Sequence, residues 1–209
     1  AEAAGASGFM VLPPYVYSSD WREMRAHVAA VLGATSLPCM LYNNPIAYRT
    51  DFTPDQVAEL HAEFPHMDAV KESSSDVRRV TWLRALLPES FTVLVGVDDV
   101  VYEAVAAGAR GWIAGLVNAF PEESVRLFDL ALAGRRDEAL ALYRWFLPLL
   151  RLDVGTKFVQ QIKLVQELAG WGSERVRGPR LVLEGAEREE TVRAFQDAMA
   201  TRPAPGVPA

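Results

Sequence analysis

The chain has 209 residues, 50% of them hydrophobic, a formal net charge of −6 at pH 7 and one cysteine. A lone cysteine excludes a disulfide framework within the chain, and the acidic balance argues against nucleic acid or an anionic membrane as main partner. No apolar run approaches the ~18 residues that cross a bilayer, and the opening "AEAAGASGFMVLPP" has no basic segment of the kind that starts a signal peptide, so a cytoplasmic protein is expected.

Five short apolar runs, each closed by a turn signal, read as strands: "GFMVLPP" (8–14), "LPCMLYNNP" (37–45), "MDAVKES" (67–73), "FTVLVGV" (91–97) and "GWIAGLV" (111–117). Continuous rather than alternating hydrophobicity predicts strands buried on both faces. Between them lie segments of helical period. Ser19-Asp20 caps "WREMRAHVAAVLGA", and Thr53-Pro54 opens "DQVAELHAEF" with Thr53 as N-cap. "DVRRVTWLRALLP", "DVVYEAVAAGA" and "FPEESVRLFDLALAG" follow. Repeated strand–helix units imply a parallel sheet with helices outside it.

After Gly134 the strand signals stop. "RRDEALALYRWFLPLLRL", with Pro148 expected to kink it, "GTKFVQQIKLVQELAG" and "EREETVRAFQDAMA" read as three helices, and residues 201–209 as a Pro-rich flexible tail. The expected organisation is therefore a β/α part over residues 1–134, a helical part over 135–200, and the tail. Five units build either an open doubly wound sheet or part of a (β/α)₈ barrel. Polar and reactive residues stand at the end of every strand run: Tyr15, Tyr42, Asn43, Lys71, Asp98 and Asn118. That spread suits a barrel, whose chemistry lies on the carboxyl rim, better than a sheet with a single switch point.

Lys71 follows Ala69-Val70 directly. A lysine at a strand end is more often a surface residue whose stem snorkels. At a barrel mouth, however, burial disfavours the ammonium, and a neutral amine attacks carbonyls to form a Schiff base. The iminium then acidifies the adjacent carbon, and a tyrosine hydroxyl can shuttle the proton. Tyr42, on the preceding strand, holds the neighbouring rim position.

The stretches "LPPYVYSS", "YNNP", "VKESSSDVRR" and "VGVDD…GARGWIAGLVNAFPE", in this order and spacing, resemble the dihydrodipicolinate synthase/N-acetylneuraminate lyase family. These are Schiff-base class I aldolases on a (β/α)₈ barrel with a C-terminal three-helix appendix. The resemblance implies Lys71 as the Schiff-base lysine and Tyr42 as its proton relay. It implies Tyr15 as the tyrosine that reaches toward a neighbouring subunit's site, hence a homo-oligomer, dimer or tetramer. It further implies Asn43, Ser73, Gly96 and Ile113 as pocket residues, and a reaction without metal or other cofactor. The family's three opening units and its Gly-Thr-Thr-Gly-Glu-type motif have no counterpart in the sequence, so only the last five strand–helix units of the barrel, strands 4 to 8, are expected.

Ala47 stands two residues after the "YNNP" proline, where dihydrodipicolinate synthases carry an arginine, and the nearest arginine is Arg49. "YNNPIAYR", "VGVDD" and "LRLDVGTKFVQQIKL" look most like the branch that deaminates 1-pyrroline-4-hydroxy-2-carboxylate to 2-oxoglutarate semialdehyde. The small-molecule substrate expected is thus a 2-oxo acid or cyclic imine. Alternatives are a 2-keto-3-deoxy sugar acid dehydratase or aldolase, and a non-catalytic truncated homologue. His27, His61 and His66 lack metal-ligand spacing and read as surface residues, Cys39 reads as core, and Asp98-Asp99 as helix-capping.

Overall fold

The computed structural model describes residues 1–17 and 20–203. They group into two units: Ala1–Gly96 with Ala107–Ile113, and Val97–Ala106 with the chain from Ala114 onward.

The first unit holds β1 (Phe9–Val11), α1 (Trp21–Leu32), β2 (Cys39–Asn43), the short α2 (Pro45–Tyr48), α3 (Pro54–Glu63), β3 (Met67–Glu72), α4 (Arg78–Leu86), β4 (Thr92–Val95) and β5 (Gly111–Trp112). Asp20 caps α1, its Oδ1 accepting the Glu23 N–H at 3.0 Å; Ser19, the other half of the expected cap, lies outside the described residues. Thr53 and Gln56 form a reciprocal capping box on α3, with bonds of 3.4 and 2.9 Å. α1 buries Met24, Val28 and Leu32, and α3 buries Val57 and Leu60, the spacing of one helical face.

All strand pairs are parallel, and the sheet order is β1-β2-β3-β4-β5, the order of the chain itself. A doubly wound sheet reverses its order at a switch point. A monotonic order with a helix between neighbours is the winding of a barrel wall.

The strands differ from expectation in their burial. Leu41, Val70 and Val93 have no exposed surface, and α3 packs on β3 and α4 on β4. The opposite row, Met40, Tyr42, Ala69, Lys71, Thr92 and Leu94, is only half-buried, and Met10 is exposed. Strands alternate their side chains between faces, and among the described residues of this unit only one face carries a helical layer. The apolar runs in the sequence conceal that difference because both rows are largely apolar.

β5 is also shorter than the seven-residue run that predicts it. The N–H groups of Gly115 and Leu116 turn to the Asp98 carboxylate, at 3.1 and 2.7 Å, and Leu116–Asn118 winds into a 3₁₀ turn. Buried Asp98 is thus a brace for this loop.

The second unit contains α5 (Val101–Ala106), α6 (Pro121–Leu132), α7 (Arg136–Leu150), α8 (Phe158–Leu168) and α9 (Gly185–Ala200). α7 packs on α6 and α9, and α8 on α9. Phe120 meets Phe146 edge-on at 5.8 Å, and Trp145 Nε1 donates to the Ala198 carbonyl at 2.9 Å. α7 continues two residues past Pro148, which sits in its last turn. Of the expected tail, residues 204–209 lie outside the described residues.

Candidate active site

Parallel register places Tyr42 of β2 directly beside Lys71 of β3, with Leu94 of β4 next in the row. All three point to the open face. Lys71 Nζ stands 4.3 Å above the centroid of the Tyr42 ring, a cation–π contact. The Tyr42 hydroxyl accepts instead from Asn44 Nδ2 at 3.1 Å, so the amine meets the ring face while the hydroxyl is held by a neighbour. Asn44 also caps α2, its Oδ1 accepting the Ala47 N–H at 3.0 Å. One side chain therefore fixes both the short helix and the phenol.

The ladder continues past the assigned strand ends. Ser73 N–H donates to the Asn43 carbonyl at 2.8 Å, Gly96 N–H to Glu72 at 2.9 Å, and Ile113 N–H to Val95 at 2.9 Å. These bonds set Ser73, Gly96 and Ile113 along one carboxyl rim. Ser73 follows Lys71 by two residues and shares its face. Gly96 is required by close approach: a Cβ there would stand 2.5 Å from Lys71 Cε and 2.1 Å from Ser73 Oγ.

Tyr15 lies at the β1 end of the rim, 60% exposed. Its ring packs 5.7 Å from Tyr48, whose own ring is edge-on to Tyr42 at 5.6 Å. Burial, with the neighbouring Tyr42 and Tyr15 phenols, pushes the Tyr48 pKa up. Thr50 ties this group to the β1 loop by donating to the Pro14 carbonyl at 2.7 Å.

Asn43 faces the other way. It is fully buried, and its Nδ2 donates to Glu72 Oε2 at 3.0 Å and to the Phe52 carbonyl at 3.2 Å. Its Oδ1 accepts the Phe52 N–H at 3.0 Å. Glu72, 5% exposed, also accepts the Ser74 N–H at 2.7 Å. Burial raises the Glu72 pKa, and the bonds from Ser74 and Asn43 offset part of that rise. Alongside, Arg79 grips Asp51 with two bonds of 2.6 and 2.7 Å. Those bonds hold the Asp51 carboxyl below the usual range against the opposing effect of burial.

Sequence reasoning singled out Lys71, Tyr42, Ser73 and Gly96, which the structure brings together, and Asn43, which it turns to the helix side. It missed Asn44, Tyr48, Glu72, Asp51 and Arg79. The Asn-Pro pair was a readable N-cap signal for Asn44, and strict alternation sends Glu72 behind the sheet once Lys71 faces forward. Asp51 and Arg79 are 28 residues apart and carry no local signal.

Histidines expected at the surface are partly structural: His61 Nδ1 bonds the Met67 carbonyl at 2.9 Å and His66 Nε2 the Leu32 carbonyl at 3.1 Å. Buried Cys39 is core as expected. Among the described residues no group of three or more His, Cys, Asp or Glu is arranged to hold a metal ion, and no helix is long and apolar enough to cross a membrane.

Comparison with known proteins agrees with this arrangement. The chain is 36% identical over 183 residues to a 4-hydroxy-tetrahydrodipicolinate synthase of Exiguobacterium sp., covering 88% of the chain and 61% of that relative. The chain thus spans about three fifths of that relative's length. The 4-hydroxy-tetrahydrodipicolinate synthase of Methylacidiphilum fumariolicum SolV superposes with a TM-score of 0.89 at 28% identity, over 95% of this chain and 66% of that one. A prophage protein of the dihydrodipicolinic acid synthase family from E. coli K12, solved in complex with pyruvate, superposes with a TM-score of 0.86 at 26% identity, over 95% and 68%. With these neighbours, the five parallel units are five units of the (β/α)₈ barrel, followed by C-terminal helices. The family described as the dihydrodipicolinate synthetase family matches residues 1–198, and the chain belongs to it.

Proposed function

We propose that this chain carries the Schiff-base site of a lyase acting on a 2-oxo acid or a cyclic imine. The observation that supports it most is the placement of Lys71 Nζ 4.3 Å over the Tyr42 ring at the carboxyl ends of adjacent strands. Lys71 is the nucleophile. Tyr42 relays protons, its phenol aimed by Asn44. The backbones of Gly96 and Ile113 and the Ser73 hydroxyl line the pocket, and Asn43 positions the strand ends from behind. The exposure of Tyr15 supports a role in contact with a second subunit of a dimer or tetramer. The chemistry needs no metal, because the protonated imine itself is the electron sink.

Within this class the reading is deamination of 1-pyrroline-4-hydroxy-2-carboxylate to 2-oxoglutarate semialdehyde. The ring imine exchanges onto Lys71 and frees the ring nitrogen as an amine, and the C4 hydroxyl leaves as water. Two waters then hydrolyse the resulting C5 imine, releasing ammonia, and the Lys71 iminium, for a net uptake of one water. Exposed Ala47 favours this over condensation with a second carboxylate-bearing substrate, since it offers no bidentate clamp. The pyruvate held by the E. coli relative supports a 2-oxo acid skeleton.

Borohydride trapping with pyruvate, followed by peptide mass spectrometry, tests the class. A reduced adduct on Lys71 is expected; an adduct on Lys157 or Lys163, or none, overturns it. Turnover of the hydroxylated pyrroline in preference to 2-keto-3-deoxy sugar acids, and to pyruvate with aspartate semialdehyde, tests the finer reading.

A further inference from the structure

Ser73 is 1% exposed, yet its Oγ has no hydrogen-bond partner among the described residues. Burying a hydroxyl unpaired opposes folding. The hydroxyl and the amine-bearing end of Lys71 converge on one point above Gly96: a Cβ built there would lie 2.1 Å from Ser73 Oγ and 2.5 Å from Lys71 Cε. Glycine leaves that space to the two side chains. The other polar groups beside the strand ends are satisfied: Asn43 and Glu72 by each other and by backbone, Tyr42 by Asn44.

Resting on the Schiff-base reading above, we infer that Ser73 Oγ–H hydrogen-bonds the atom displaced from the substrate's C2 as Lys71 attaches. With a 2-oxo acid, the Nζ–C2 bond forms while the carbonyl π pair moves onto oxygen. A proton passes from nitrogen to that oxygen, giving a carbinolamine. The C2–O bond then breaks, the nitrogen lone pair closes the C=N bond, and the oxygen leaves as water with one further proton from the Tyr42 phenol, which solvent restores. With a cyclic imine, the ring nitrogen takes the place of the oxygen. In either case the departing atom is two bonds from Nζ, on the side where Ser73 waits. Ser73 gives a hydrogen bond and no net proton. Its free state is unpaired because its partner arrives with substrate, a preorganised donor aimed at charge that develops in the reaction.

The full chain is mixed with pyruvate, quenched with borohydride at successive times, and the Lys71 adduct is counted. Ser73→Ala is expected to slow adduct formation by about 10²-fold, while its thermal midpoint holds or rises because an unpaired buried hydroxyl has gone. Adduct formation at the wild-type rate overturns the inference. So does a slow rate accompanied by a lowered midpoint, which would make Ser73 a structural residue. An absent adduct in the wild-type protein overturns the Schiff-base reading itself, and is thereby distinguished from failure of Ser73 alone.

Discussion

On the helix-covered side of the β2–β3 pair, Asn43 and Glu72 are saturated with hydrogen bonds and almost wholly out of solvent. One residue earlier on each strand, on the open side, Tyr42 and Lys71 share only a ring-face contact, and Ser73 beyond them has no partner. The two rows belong to the same strands and differ only by the alternation of side chains. Polar groups that complete one another behind the sheet fix the architecture. Those left incomplete in front are the ones a substrate can complete. A strand end can thus be rigid and reactive at once, because each task occupies its own face.

The largest effect expected from breaking this comparison lies in front. Tyr42→Phe keeps the ring under Lys71 Nζ and removes the hydroxyl that Asn44 holds. Turnover is expected to fall by a factor on the order of 10²–10⁴, with the denaturation midpoint nearly unchanged. Steady-state kinetics beside a urea melt read both quantities. An unchanged rate would make Tyr42 a packing residue and remove the proton relay from the open face.

A change behind the sheet should do the reverse. Asn43→Ala removes the bonds to Glu72, Phe52 and Asp51 and leaves the buried Glu72 carboxyl held by Ser74. The expected cost is about 2–3 kcal/mol of folding free energy, seen as a shift in urea midpoint. Borohydride trapping of the fraction that remains folded should still mark Lys71. Full stability with complete loss of trapping would erase the distinction between the two faces.

How much of this was legible in sequence follows the same division. The strand–helix alternation, the N-cap at Thr53 and the Lys71–Tyr42 pairing all rest on local pattern or on motifs of fixed spacing, and each is present. The orientation of Asn43 was hidden because a motif gives adjacency along the chain but not the face of the sheet. The early end of β5 was hidden because "GWIAGLV" reads as strand throughout; its exit depends on Asp98, 17 residues away, capturing the Gly115 N–H. The Asp51–Arg79 pair likewise exists only once the loop after α2 and the first turn of α4 meet in space. Each long-range polar contact of this kind has no periodicity to announce it.

That pair offers the smallest and most pH-sensitive test. Arg79 lowers the Asp51 pKa through two hydrogen bonds, against burial, which raises it. A depressed folded-state pKa contributes stability that is whole above the ordinary aspartate value of about 3.9 and is lost as pH falls through the lowered value. Glu72, beside Asn43 in the same cluster, is shifted upward by burial, so its contribution is present at low pH and lost as pH rises through its raised value. The two carboxyls therefore titrate with opposite sign. Asp51→Asn is expected to cost about 1–2 kcal/mol at neutral pH, less than a fully buried pair because the Asp51 side chain is 39% exposed. Urea melts of wild type and variant at neutral pH and at successively lower pH should show the gap narrowing below about pH 3.9. Repeating the comparison in an Arg79→Leu background should flatten it, since the partner is gone while Glu72 and Asn43 remain. A gap that stays constant into acid, or survives in the Arg79→Leu background, would mean that Asp51 acts through Asn43 rather than through Arg79, and that the polar cluster behind the sheet is a single network with Glu72 rather than a hydrogen-bonded core flanked by an ion pair.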